Sequence, residues 1–181
     1  MRALAGQLGV QAMSLYHHVA NREEILDRIV DAVYGRFYAP VPGRPWREEL
    51  RRRSVEAARV LGDHAWVIPL MNSRRTPGLA TITHLDAVIA CLDEAGFTTE
   101  LTAHAFALID AHLYGFMTQA ASLPFEGEEG IREMAAELEQ SNIMAEAPHF
   151  AAFAQAQALQ PGYDFMDEFT WGLDAVLDAV E

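Results

Sequence analysis

Apolar residues recur at three- and four-residue spacing along almost the whole sequence, and no segment alternates with period two. That pattern predicts an all-α chain. Short helices are expected over about 1–8 and 11–18, interrupted at Gly9. A third is expected from Asn21, whose side chain can cap free N–H groups while Glu24 completes the capping box. Its apolar stripe is Ile25, Ile29, Val30, Val33 and Phe37. The stretch Ala39-Pro40-Val41-Pro42-Gly43-Arg44-Pro45 then sets three prolines in seven residues, which no helix survives. It divides a head over 1–38 from a body over 46–181, with 39–45 as the linker.

In the body, Trp46, Leu50, Ala57 and Leu61 mark one helix, and a short helical stretch around 66–72 follows. Leu79, Ile82, Leu85, Ile89 and Leu92 mark the next, ended by Gly96. Thr98 caps a long helix to about Ser122 that is apolar nearly all round, so it must be buried on most sides. An acidic helix over about 131–145 and a weaker one over about 149–159 precede the last helix, which carries Phe165, Phe169, Leu173, Val176, Leu177 and Val180.

The formal net charge of -13 argues against nucleic acid until its distribution is counted. Residues 1–53 hold nine Arg against six acidic residues, whereas residues 54–181 hold four Arg against twenty. Only the N-terminal part can approach phosphates without strong repulsion. No apolar run reaches the roughly 20 residues of a membrane span. The single Cys91 excludes an internal disulfide and fits a reducing cytoplasm. His104 and His112 sit roughly 80° apart around one helix, without the Cys or carboxylate company of a metal site. No phosphate loop or nucleophile elbow occurs, so neither catalysis nor a cofactor or metal is expected.

The head carries the functional signal in residues 2–19. Two short helices crossing steeply need a small residue at the crossing, supplied by Ala5, and a turn tolerant of positive φ, supplied by Gly9. Leu4, Leu8, Val10, Leu15 and Val19 are spaced to form a small core. Gln11, Ala12, Ser14, Tyr16 and His17 remain outside, with groups suited to phosphates and base edges. A generic helix-Gly-helix corner is the plainer alternative.

Leu4-Ala5-x-x-Leu8-Gly9-Val10, Leu15-Tyr16-x-His18-Val19 and Asn21-Arg22-Glu23-Glu24-Ile25-Leu26 together resemble the DNA-binding domain of the TetR family. Trp46, Asp63-His64, Glu94-Ala95-Gly96-Phe97 and Gly172-Leu173 resemble the C-terminal domain of its tetracycline-repressor-like members. The resemblance implies that Arg2 meets a guanine or a phosphate, and that Gln11, Ala12, Met13 and His17 face the major groove. It implies phosphate contacts from Ser14, Tyr16 and Arg22, the last beside a helix N-terminus. Met13 stands where a proline is common. A further helix precedes the position of Arg2 in the family. Its absence from this sequence would leave Leu4, Leu15 and Ile25 short of a packing partner and the head loosely ordered.

By the same resemblance the ligand site draws on Tyr38, Arg53, Ala57, Met71, Asn72, His84, His112 and Phe116. Leu70-Met71-Asn72-Ser73 lacks the His that tetracycline repressors use there, so a metal-chelated tetracycline is not expected. The helices over about 98–122 and 164–181 are more apolar than a monomer surface tolerates, and Gly115 and Gly172 would allow close approach. They either bury each other within one chain or form a two-fold bundle, which suits paired heads one turn of DNA apart. The expected protein is a homodimeric regulator, a repressor released from double-stranded operator DNA by a small-molecule inducer. The competing reading is a helical small-molecule carrier that no longer reads DNA.

Overall fold

The computed structural model describes residues 2–125, 127–140 and 143–181, with the side chains of Arg2, Ala12, Leu15, Glu128, Glu139 and Ile143 also outside the description. In chain order the helices are α1 (Arg2–Gln7), α2 (Ala12–Leu15), α3 (Arg22–Tyr34) and α4 (Trp46–Asp63). A 3-10 turn at Ala65–Val67 leads into α5 (Ile68–Met71), α6 (Leu79–Glu94) and α7 (Thr99–Ala120). The chain then runs through α8 (Gly127–Gln140), α9 (Ile143–Glu146), α10 (Pro148–Phe153), a π-helical turn at Ala154–Ala158, and α11 (Phe165–Ala179). No strand occurs among the described residues.

Helix ends follow local chemistry. The Asn21 side chain accepts the Glu24 N–H at 2.9 Å, and the Glu24 carboxylate accepts the Ala20 N–H at 2.6 Å, one residue before the position a capping box uses. Thr98 Oγ1 accepts the Leu101 N–H at 3.2 Å, and Gly96, at φ +89, ends α6. The acidic helix begins at Gly127 rather than near 131, and α2 is four residues long where eight were expected.

The small head core is corrected in the same way. Ala5 is 3% exposed at the crossing, but Leu4, Leu8 and Val10 are 38, 59 and 45% exposed. Helices of six and four residues present too little surface to cover them.

The main core pays no regard to the proline segment. Val30, Val33 and Phe37 pack in one apolar cluster with Leu50, Leu61, Leu92, Ile109, Leu113, Phe169 and Leu173. The segment itself is pinned by Glu49, whose carboxylate accepts the Tyr38 hydroxyl at 2.5 Å and the Val41 N–H at 2.9 Å and lies 3.6 Å from Arg44. The Tyr38 hydroxyl is the main influence holding that carboxyl below its usual range.

A second tie joins α3 to α6. The start of α6 has no cap from its own sequence; Asp31 supplies one, accepting the Thr81 N–H at 2.8 Å and the Thr81 hydroxyl at 2.9 Å. Burial pushes the Asp31 carboxyl up, but these donors bring it net below its ordinary value. A Cβ on Gly78 would sit 2.2 Å from Asp31 Cγ. Gly78→Ala is therefore expected to evict the carboxylate and cost about 1–3 kcal/mol in urea denaturation. Adding Asp31→Ala to it should cost little more, whereas additive losses would show that Gly78→Ala does not act through the Asp31 tie.

Candidate DNA-reading head and ligand cavity

Gly9 adopts φ +67 between the separate helices α1 and α2, and Ala5 on α1 is buried. Gln11 is extended at the start of α2 and its side chain makes no cap there. Met13 and Tyr16 are 69 and 44% exposed, and Gln11, Ser14 and His17 are exposed with them. Arg22, the first residue of α3, is exposed with its guanidinium 3.5 Å from Glu23. The side chains of Arg2 and Ala12 lie outside the described residues. Further along α3, Arg74 reaches across from the loop before α6 to Glu23 at 2.7 Å and Asp27 at 3.6 Å.

In the body, Arg53 on α4 is 1% exposed and bonded on two sides. Its Nη1 donates to Asp110 of α7 at 2.6 Å and its Nε to His84 Nε2 of α6 at 3.1 Å. A guanidinium only donates, so His84 Nε2 is the acceptor and the imidazole proton sits on Nδ1. Burial, then the neighbouring Arg53 charge, lower His84 to about 4. His84 Nδ1 and Arg53 Nη2 are buried without an acceptor among the described residues. Nearby, the hydroxyls of Tyr34 (α3) and Tyr114 (α7) meet at 3.1 Å, and burial pushes both phenols up, keeping them neutral. Tyr34, Asn72, Phe106, Asp110, Tyr114 and Thr118 line an open cavity of about 620 Å³.

The depressed His84 sets a pH dependence. Its neutral form is the folded one, so its contribution is complete above the unfolded value of 6.5 and is lost as pH falls toward about 4. His84→Gln should flatten the decline in urea-derived stability between those two values; an unchanged slope would mean that another group causes it.

The eight residues expected at the ligand site are dispersed. Asn72 lines the cavity, while Arg53 and His84 stand behind its wall at Asp110. Met71 lines a smaller hollow of about 120 Å³ beside Arg74 and Gly78. Tyr38 is taken by Glu49 and lies 4.0 Å beneath Arg52, and Ala57 is in the core. His112 and Phe116 belong to the seam between α7 and α11. His112 Nε2 donates to the Phe169 carbonyl at 2.9 Å, and Phe116 stacks on Phe165 at 4.7 Å. Gly172 is used within that seam, since a Cβ there would lie 2.6 Å from His112 Cε1. Sequence reasoning missed Asp110, although a lone acid within the apolar run of α7 signals a buried cationic partner. Among the described residues no cluster of His, Cys, Asp and Glu could hold a metal ion, and no helix is long and apolar enough to cross a membrane.

The sequence matches the family described as tetracyclin repressor-like, C-terminal domain, over residues 39–181. It is 33% identical over 138 residues to an HTH-type transcriptional regulator of Saccharopolyspora erythraea, covering 76% of this chain and 58% of that protein. It is 25% identical over 187 residues to the HTH-type transcriptional repressor DrrR1 of Streptomyces coeruleorubidus, covering 100% of this chain and 69% of that one. The fold is that of the Streptomyces coelicolor TetR family protein ActR, solved in complex with actinorhodin, at 23% identity and a TM-score of 0.74 over 99% of this chain and 85% of that chain. The chain belongs to the TetR family of transcriptional regulators. Its match to the Saccharopolyspora relative spans less than two thirds of that protein's length.

Proposed function

We propose that this chain is a ligand-responsive, DNA-binding transcriptional regulator, a repressor released from its operator when a small molecule enters the body. Residues 1–38 form the DNA-reading head, 39–45 the linker, and 46–181 the regulatory and dimerising body, in the cytoplasm. The observation that carries the reading is the double duty of α3. Its first turn follows directly on the exposed face of Gln11, Met13, Ser14, Tyr16 and His17. Its last turn places Tyr34 in the cavity wall. Occupying the cavity and moving the head are thus two ends of one helix, and ligand and DNA must weaken each other by the same free energy. Paired heads come from a homodimer through α7 and α11.

Selection of duplexes from a random library at low salt, followed by fluorescence anisotropy, tests the DNA half. A selected duplex should lose about tenfold in affinity with Tyr16→Phe, the scale of one hydrogen bond to a charged phosphate. Failure to enrich any duplex would overturn the DNA reading, and unchanged affinity in the variant would remove Tyr16 from the interface.

A further inference from the structure

We propose that Arg75, in the loop between α5 and α6, is a phosphate contact carried by the body, meeting the duplex backbone beside the start of α3. The inference rests on the DNA-binding reading above and adds to it a contact outside residues 1–38.

The state of the arginines singles it out. The chain has 26 acidic residues against 13 Arg, so an arginine has acids on almost every side. Among the described arginine side chains, Arg75 alone makes no hydrogen bond, ion pair or ring contact. It is exposed, and the acids of α3 that face its loop are already engaged. Arg74 Nη1 lies 2.7 Å from Glu23 and 3.6 Å from Asp27, and Asp31 accepts the Thr81 N–H and hydroxyl. The charge of Arg75 is therefore left for a partner outside the chain.

Its position says which partner. The Arg74 side chain ends on Glu23, the residue after Arg22, and the family resemblance assigns Arg22 to a phosphate. The Cα of Arg75 follows that of Arg74 by about 3.8 Å, so the free guanidinium starts beside the entry to α3. A duplex presents roughly one charge per 1.7 Å of its axis, so a cation brought near one phosphate has others within reach. Elsewhere the body repels such a backbone: residues 54–181 hold twenty acids and only four Arg, two of them adjacent in this loop. Arg74 screens Glu23 and Asp27 from the phosphates, and Arg75 attracts them. A phosphate contact carries no sequence information, so its loss should weaken all duplexes alike.

The test titrates the full chain into a selected duplex and into an unrelated duplex of the same length, by fluorescence anisotropy across a potassium chloride series. Arg75→Gln should reduce the slope of log affinity against log salt by about 0.9 for each protomer engaged, on both duplexes. Arg75→Lys keeps a point charge, which serves a phosphate, and should keep the slope. Arg59→Gln makes the same charge change at an arginine paired with Glu56 on α4, and should leave the slope where it is. Because Arg75 is exposed, its replacement leaves the packing intact. An unaltered slope in Arg75→Gln, an equal reduction in Arg59→Gln, or a reduced slope in Arg75→Lys would each overturn the proposal. With the duplexes still bound, those results leave the DNA-binding reading standing. A chain that binds neither duplex even at low salt sinks both.

Discussion

Asp110→Ala is expected to remove about 3–5 kcal/mol of stability, because it strands the Arg53 guanidinium in the core without its counter-charge. Arg53 is 1% exposed and the Asp110 side chain 16%, so water can do little to compensate. The double variant Arg53→Met/Asp110→Ala should recover most of the loss, since replacing a buried pair by apolar groups is commonly close to neutral. Urea denaturation of the two singles and the double closes the cycle. A loss under about 1 kcal/mol in Asp110→Ala would mean that the pair is solvated and that Arg53 is not a buried cation.

On the proposed pairing of α7 and α11, Trp171→Arg is expected to split the dimer and to weaken binding to a selected duplex by about a hundredfold or more, the scale on which linking two heads raises affinity. Trp171 on α11 is 74% exposed and Leu108 on α7 is 47% exposed, large apolar side chains on the helices assigned to pairing. Their neighbours Phe169 and Leu113 are buried within the chain, so the substitution leaves the core untouched. Sedimentation equilibrium should then find monomers with an unaltered circular dichroism spectrum. A variant that stays dimeric would place the two-fold seam elsewhere.

What the sequence made legible was local. Asn21, Gly9, Gly96 and Thr98 act within four residues of themselves, so their roles as caps and turns follow from residue type alone. The apolar period located every long helix for the same reason. What stayed hidden depends on partners far along the chain. Asp31 reads as a solvated acid until α6 brings Thr81 to it across 50 residues. Arg53 was placed near the ligand site by resemblance, but its bonds to His84 and Asp110, 31 and 57 residues away, are set by how α4, α6 and α7 pack. The family resemblance assigns His112 and Phe116, both on α7, to the ligand site. A helix has several faces, and theirs meets α11.

The anchoring of the proline segment by Glu49 has a mechanical consequence. Phe37 is buried and Tyr38 is held, so the chain just past α3 is anchored, and on the proposed switch it would serve as the fulcrum of a helix whose other end leads to α1 and α2. Thirteen residues of helix make an arm of about 20 Å, so a rotation of roughly 5° swings the far end by about 2 Å. Displacement at the cavity wall is small and near the pivot; at Arg22 it is multiplied by leverage. On the proposed switch, an effector that displaces Tyr34 would alter the spacing of the paired heads only by also shifting Val30 and Val33 in the core and the Asp31–Thr81 tie on the same helix.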